Sequence, residues 1–221
     1  MNISNKMTKP KSKKKSSQEW LDRQSKDRYV KDLGKFGYRS RSAFKLKQID
    51  EKFHLFAPGQ KVLDLGCSPG GWSQVIAKKV KPQKDSKSSI IAVDRTKMPP
   101  IPGVNFVNID LEHDLARTKI REYLDGLADV IVSDMSPNTT GSNKTDHLQI
   151  MNLCELALDL ALEFIKPRGS LVVKVFHGSD APIFHRKLRT FFGNVHYFKP
   201  KASRKESPEI YLINQEFLEK R

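Results

Sequence analysis

The chain has 221 residues, a formal net charge of +15, 38% hydrophobic and 29% charged residues. This composition suits one globular body with a heavily charged surface and is rather short for two sizeable cores. No apolar run is long enough to span a membrane, and the N-terminal stretch MNISNKMTKPKSKKKSS lacks the apolar segment of a signal peptide. The two cysteines, Cys67 and Cys154, make neither a disulfide framework nor a metal-ligand cluster, so the reducing cytoplasm, with no bound metal, is the expected setting; no membrane partner is expected, and the chain is expected to be a monomer.

The charge is uneven. Residues 1–47 hold fifteen Lys/Arg and four Asp/Glu, a net of +11, and a second cluster follows at Lys199, Lys201, Arg204 and Lys205. Positive charge at both ends points to a polyanionic partner, nucleic acid before a merely solubilising tail.

In chain order, residues 1–17 lack periodicity and read as a disordered basic tail. Residues 18–36 remain polar, with Trp20, Leu21, Tyr29 and Val30 as apolar anchors of a weakly marked helix. From Ser40 to Phe53, Ala43, Phe44, Leu46, Ile49 and Phe53 recur at helical spacing, and APG at 57–59 breaks the chain. The pattern then alternates. Strands are expected at 61–66, 90–94, 104–110, 128–134 and 171–176. Helices are expected at 71–80, 113–124, 145–165 and 181–192, with a polar loop at 82–89 and a turn at PRGS, 167–170. The last two strands, 194–200 and 209–215, have only a loop between them and so pair antiparallel. The expected fold is α/β: a Rossmann-like, seven-stranded, mostly parallel sheet with an antiparallel C-terminal hairpin and helices on both faces.

The stretch VLDLGCSPGGW (62–72) marks the ligand site, because a glycine-rich turn at the carboxyl end of an α/β strand is where ligands bind. It is not the dinucleotide fingerprint G-x-G-x-x-G. Asp64 beside it disfavours phosphates and suits a cationic ligand such as a sulfonium or an amino acid. Asp94 ends the second strand, where an acid accepts from ribose hydroxyls. Asp110 ends the third, within reach of an adenine amino group, and Asp134 ends the fourth. Each acid alone reads as a helix cap or a solvated residue; four on one rim read as a site.

DLGCSPGGW, VSDMSPN, VVKVFHG and PEIYLIN, with YRSRSAFKL at 38–46 and KPKASRKESPEIY at 199–211, together resemble the FtsJ-type RNA ribose 2′-O-methyltransferases. Within that family the chain is most similar to the bacterial heat-shock group acting on large-subunit ribosomal RNA. The resemblance runs from about Arg28 onward. It implies the S-adenosylmethionine methyltransferase fold, S-adenosyl-L-methionine as cofactor, and methylation of a uridine 2′-hydroxyl in 23S ribosomal RNA, encountered within the large subunit. Gly66, Pro69, Gly70 and Trp72, with Asp64, Asp94, Asp110 and Asp134, would form the cofactor site; Trp72 fits equally as a packing residue at the helix start. Cys67 stands where relatives often carry alanine and is assigned no chemistry. The expected organisation is a single domain, 18–221, with 18–56 a basic RNA-binding extension and 57–221 the cofactor-binding and catalytic core.

A lysine inside the apolar run LVVKVF is rarely buried without a reason. A free lysine amine titrates near ~10.4, and burial or a nearby cation favours its neutral form, so a neutral amine here could take the proton from a hydroxyl. The resemblance supplies its partners as a Lys–Asp–Lys–Glu set: Lys45, Asp134, Lys174 and Glu209. Lys174 is then the base and Asp134 its orienter, with Lys45 and Glu209 positioning the ribose. Arg28, Lys31, Lys35, Arg39, Arg41, Lys199, Lys201 and Arg204 are the candidate phosphate contacts; Tyr38 and Phe44 suit either base stacking or the core. Two other readings remain: a transfer-RNA or cap ribose methyltransferase, and a non-catalytic ribosome-assembly protein with a relict site.

Overall fold

The computed structural model describes residues 27–82, 89–137 and 142–218. The tail expected at 1–17, the anchors Trp20 and Leu21, and most of the 82–89 loop lie outside them. The chain falls into two compact units that divide between Gly37 and Tyr38.

In the first unit, helix α1 (Arg28–Phe36) begins at Asp27, whose side chain accepts from the Tyr29 amide at 3.0 Å, satisfying one of the helix's unpaired donors. Arg28 lies 3.9 Å from Asp32 one turn on, an exposed pair of small energetic weight.

The second unit is built on a seven-stranded sheet. Its elements are α2 (Ser42–Phe53), β1 (Val62–Leu65), α3 (Gly71–Val80), β2 (Ile90–Asp94), β3 (Asn105–Asn108), α4 (Ala116–Tyr123), β4 (Ala128–Ser133), α5 (Asn143–Phe164), β5 (Ile165–Phe176), α6 (Ala181–Leu188), β6 (Phe192–Phe198) and β7 (Glu209–Phe217). The strand order is β3-β2-β1-β4-β5-β7-β6. The first five strands pair in parallel, and β7 pairs antiparallel with both β5 and β6. The expected hairpin is present, and its second strand is the one that docks on β5. That arrangement puts Tyr211 opposite Lys174 and Glu209 opposite Phe176.

The fully buried strands are continuous apolar runs, as a sheet covered on both faces requires. On one face α2 and α3 pack Ala43, Leu46, Ile49, Trp72, Val75 and Ile76 over Val62, Ile90, Val130, Val132 and Val172. On the other, α4, α5 and α6 pack Ile120, Cys154, Leu158, Phe164, Phe184 and Leu188 over Leu63, Ile91, Ile131, Leu171 and Val173. Each buried Val, Leu, Ile or Phe among them contributes about 1.5–3 kcal/mol. Among the described residues no helix is long and apolar enough to cross a membrane.

Helix α2, expected in an RNA-binding extension, belongs to this core. Its buried Asp50 accepts from the Leu55 and Phe56 amides, each at 3.0 Å, and pairs with Lys79 of α3 at 2.7 Å. The expected turn at 167–170 lies inside β5. Ile165 pairs with Ala128, the register then skips to Ser170 opposite Val130, and Arg168 between them has φ 65°. The bulge lets the strand restart without leaving the sheet. The expected 181–192 helix ends at Leu188 because Phe192 already pairs with Phe217.

Candidate active site

The strand order reverses between β1 and β4, and it is outside the carboxyl ends of strands at such a point that α/β sheets bind ligands. A cleft of about 570 Å³ opens there. Its walls include Gly66 and Ser68 after β1, Asp94 to Thr96 after β2, Asp110 to Glu112 after β3 and Asp134 to Pro137 after β4, with Gln149, Asn152, Leu153 and Leu156 of α5 closing one side. Gly66 has φ +72°, and a Cβ there would stand 2.6 Å from Met135 Cγ and 3.1 Å from Met135 Cα. A side chain would therefore drive the β1 and β4 ends apart.

Of the expected cofactor residues, Gly66, Asp94, Asp110 and Asp134 line the cleft. Asp94 is fixed by two backbone donors, Ser68 N–H to one oxygen at 2.9 Å and Thr96 N–H to the other at 2.7 Å. Each oxygen keeps a lone pair for a ligand hydroxyl. Asp110 accepts from the Glu112 amide at 3.1 Å and stands 3.6 Å from Arg95.

Pro69, Gly70, Trp72 and Asp64 lie off the cleft wall. Trp72 is 2% exposed, donates from Nε1 to the Ser42 carbonyl at 2.9 Å and lies against the Tyr211 ring. Of its two readings, the structure selects packing. Asp64 does not face the cleft either, as the rim reading required, because it sits beneath the turn, fully buried. It accepts from Ser73 Oγ at 2.6 Å with one oxygen and has no partner on the other. Burial pushes its carboxyl up to about 7, against the lowering effect of the Ser73 bond.

A folded-state pKa above the unfolded one means that the native protein keeps a proton the unfolded chain has already released. Stability is therefore lost as pH rises from about 4 to about 7. Asp64→Asn is expected to remove that loss, so that urea unfolding across this range shows the variant gaining a few kcal/mol on the wild type. Parallel profiles for the two proteins would contradict the assignment. At Cys67, burial, with the carboxylates of Asp64 and Asp94 nearby, pushes the thiol up, and the sulfur lies 3.9 Å from Met98 Sδ.

Where β4 and β5 end, the expected Lys–Asp–Lys–Glu residues come together. Lys174, 6% exposed, donates from Nζ to the Asp134 carbonyl at 2.7 Å and lies 2.9 Å from Asp134 Oδ1. Lys45 reaches in from α2 and meets Glu209 at 2.6 Å at the start of β7. Burial alone would raise the Asp134 carboxyl, but Lys174, then Lys45, then the bonds from Lys174 and Tyr211 outweigh it and hold it below the usual range. Tyr211 is the member that sequence reasoning missed. Its hydroxyl donates to Asp134 Oδ1 at 2.8 Å, and burial, followed by the charges of Asp134 and Glu209, pushes its pKa well up. A tyrosine in an apolar strand looks like core, and only its register opposite Lys174 reveals its second role.

The expected RNA contacts divide. Lys31, Lys35 and Lys201 are exposed, and Arg28 is 88% exposed. Arg39, Arg41 and Lys199 instead spend donors on backbone carbonyls. Arg39 meets Pro69, Pro99 and Pro100, Arg41 meets Ala202 at 2.8 Å, and Lys199 meets Ser207 at 2.7 Å. Arg204 is half-buried. Phe44 is 6% exposed and packs edge-on against Tyr38, so it belongs to the core.

The sequence pattern of the FtsJ-like methyltransferase family matches residues 38–217. The chain is 47% identical over 211 residues to the ribosomal RNA large subunit methyltransferase E of Anaplasma phagocytophilum, covering 94% of this chain and 83% of that protein. It is 44% identical over 213 residues to the protein of the same name from Rickettsia akari, covering 95% and 94%. A crystal structure described as a ribosomal RNA methyltransferase from Plasmodium falciparum superposes with a TM-score of 0.74 at 33% identity, over 83% of this chain and 100% of that one. The chain belongs to the FtsJ-like methyltransferase family.

Proposed function

We propose that this FtsJ-like methyltransferase uses S-adenosyl-L-methionine to methylate the 2′-hydroxyl of a uridine in 23S ribosomal RNA, in the cytoplasm and as a monomer. The observation that carries the reading is the buried Lys174–Asp134 pair, 2.9 Å between charged groups, whose aspartate lines the acid-rich cleft. The names of the relatives support a large-subunit ribosomal RNA substrate.

The residues present suit the cofactor. Among the described residues the cleft is lined by the carboxylates of Asp94, Asp110, Glu112 and Asp134 against one cation, Arg95, which favours a ligand bearing sulfonium and ammonium charge. Asp94 would accept from the ribose hydroxyls, Asp110 would face the adenine, and the Gly66 turn would admit the ligand close to the backbone. Bound there, the cofactor supplies a methyl group on a good leaving group, so positioning accounts for much of the rate.

The chain's own work is on the acceptor. Asp134 fixes two directions around Lys174 Nζ, which leaves one corner of the nitrogen for the acceptor hydroxyl. Lys174 first releases the proton it carries in the ion pair with Asp134, and the freed amine then takes the hydroxyl proton as the oxygen attacks. Lys174 first, then Lys45 and the Tyr211 hydroxyl, hold Asp134 in its ionised form, and the Lys45–Glu209 pair positions the ribose beside it.

The exposed cations Arg28, Lys31, Lys35 and Lys201 supply phosphate contacts, so RNA binding should weaken steeply with salt. Replacing Lys201 by alanine is expected to reduce the slope of log K against log salt by about 1, read by filter binding. An unchanged slope would remove Lys201 from the RNA track. The substrate itself is tested by incubating the protein with labelled cofactor and separate pools of large subunits, protein-free ribosomal RNA and transfer RNA. Label in either ribosomal pool supports the reading, and label confined to transfer RNA overturns it.

A further inference from the structure

Arg39 is one of the 40 Lys/Arg residues behind the net charge of +15 that points to RNA, yet its guanidinium is committed to backbone carbonyls. One terminal nitrogen donates to the Pro99 carbonyl at 2.6 Å and lies 3.4 Å from the Pro69 carbonyl. The other donates to the Pro100 carbonyl at 2.8 Å. Its own amide is held by Gln74 Oε1 of α3 at 2.8 Å.

The three carbonyls belong to two segments. Pro69 follows Ser68 in the turn after β1, and Pro99 and Pro100 follow shortly after Thr96, beyond β2; Ser68 and Thr96 are both cleft residues. Ser68 and Thr96 are also the two residues whose amides hold Asp94. The guanidinium thus ties together the two segments between which Asp94 is held. Gly70 shows how tight the junction is. At φ +104°, a Cβ there would stand 2.8 Å from Ile101 Cδ1, 2.9 Å from Arg39 Nη1 and 3.1 Å from Met98 Sδ.

We propose that Arg39 is a positioning residue for the cofactor cleft, clamping the post-β1 and post-β2 walls so that Asp94 meets the cofactor ribose, and that it makes no contact with RNA phosphate. The assignment rests on the S-adenosylmethionine reading given above. A planar guanidinium suits the task because its fork can serve carbonyls in different directions at once, whereas an ammonium is a single point charge. Arg41, two residues on, donates instead to the carbonyl of Ala202 in the basic 199–205 stretch, so its loss should register on RNA.

The test separates the two ligands. S-adenosylmethionine binding is measured by calorimetry without RNA for the wild type, Arg39→Ala, Arg39→Lys, Gly70→Ala and Arg41→Ala, and binding to protein-free large-subunit ribosomal RNA is measured over a salt series. Arg39→Ala is expected to raise the cofactor Kd on the order of tenfold, about 1.4 kcal/mol, with the RNA salt slope unchanged. Arg39→Lys is expected to retain most of that defect, and Gly70→Ala to reproduce it. Arg41→Ala is expected to weaken RNA binding with the cofactor Kd within twofold of wild type. A cofactor Kd within twofold of wild type in Arg39→Ala, with an RNA salt slope lower by about 1, would overturn the assignment and make Arg39 a phosphate contact. Should Arg39→Ala fail to fold, Arg39→Lys decides: wild-type cofactor affinity there overturns the clamp. Failure of the wild type itself to bind S-adenosylmethionine would refute the cofactor reading and not the clamp geometry.

Discussion

Lys174→Arg folds, keeps its charge beside Asp134 and loses methyl transfer by a factor of about 10²–10⁴, the usual contribution of a positioned general base. An arginine in this place can still reach the Asp134 oxygens that Lys174 contacts at 2.7 and 2.9 Å, but a guanidinium does not give up its proton near neutral pH. The variant therefore preserves the ion pair and removes only the proton acceptor. Lys174→Ala removes both. It should abolish activity and also cost about 3–5 kcal/mol of stability, because Asp134 is left buried without its main countercharge. Activity under single turnover, with cofactor affinity measured alongside, separates the two effects. Near-wild-type turnover by Lys174→Arg would show that the residue acts through its charge alone.

Asp134→Asn has the second-largest effect. One carboxylate oxygen receives both Lys174 Nζ and the Tyr211 hydroxyl, at 2.9 and 2.8 Å, and the same side chain lines the cleft. The amide carries no charge to hold Lys174, so both the orientation of the amine and the stability of its surroundings suffer. We expect a loss of activity of about 10²-fold or more and of about 3–5 kcal/mol of stability at neutral pH.

The pH dependence gives this variant a signature. Desolvation works to raise the Asp134 carboxyl, and the charges of Lys174 and Lys45 and the two hydrogen bonds overcome it, leaving the folded-state pKa depressed. A depressed acid stabilises the fold above its unfolded value near ~3.9 and loses that contribution as pH falls through the folded value. Wild type should therefore shed stability in acid that Asp134→Asn does not have to lose, and the two unfolding curves should converge as pH falls below about 4. Curves that stay parallel would contradict the paired state of Asp134.

Much of this was legible in the residues. Helix α3 and strand β2 fall at the expected boundaries, Gly71–Val80 and Ile90–Asp94, because a glycine pair opens the one and an acid closes the other. Lys174 stood out because a charge inside a buried strand has few explanations. What stayed hidden depends on contacts across long sequence separations. Lys45 looks like any surface lysine until α2 brings it to Glu209, and only the family pattern marked the pair. Arg39 and Arg41 look like freely exposed cations until their guanidinium groups are seen to donate to backbone carbonyls. Trp72 could line a ligand or pack a core, and its indole proved to be held by Ser42 and Tyr211. Asp64 read as a rim charge because it adjoins the turn, but strand alternation directs it under α3 toward Ser73.

The most direct test is the chemical position of the transferred methyl. Ribosomal RNA from large subunits is incubated with S-adenosylmethionine and either the wild type or Lys174→Arg, then digested and its nucleosides resolved. The account predicts a 2′-O-methylated uridine, resistant to alkaline cleavage at that position, formed by the wild type and not by the variant. A methyl group on a base, or equal ribose methylation by Lys174→Arg, would contradict it.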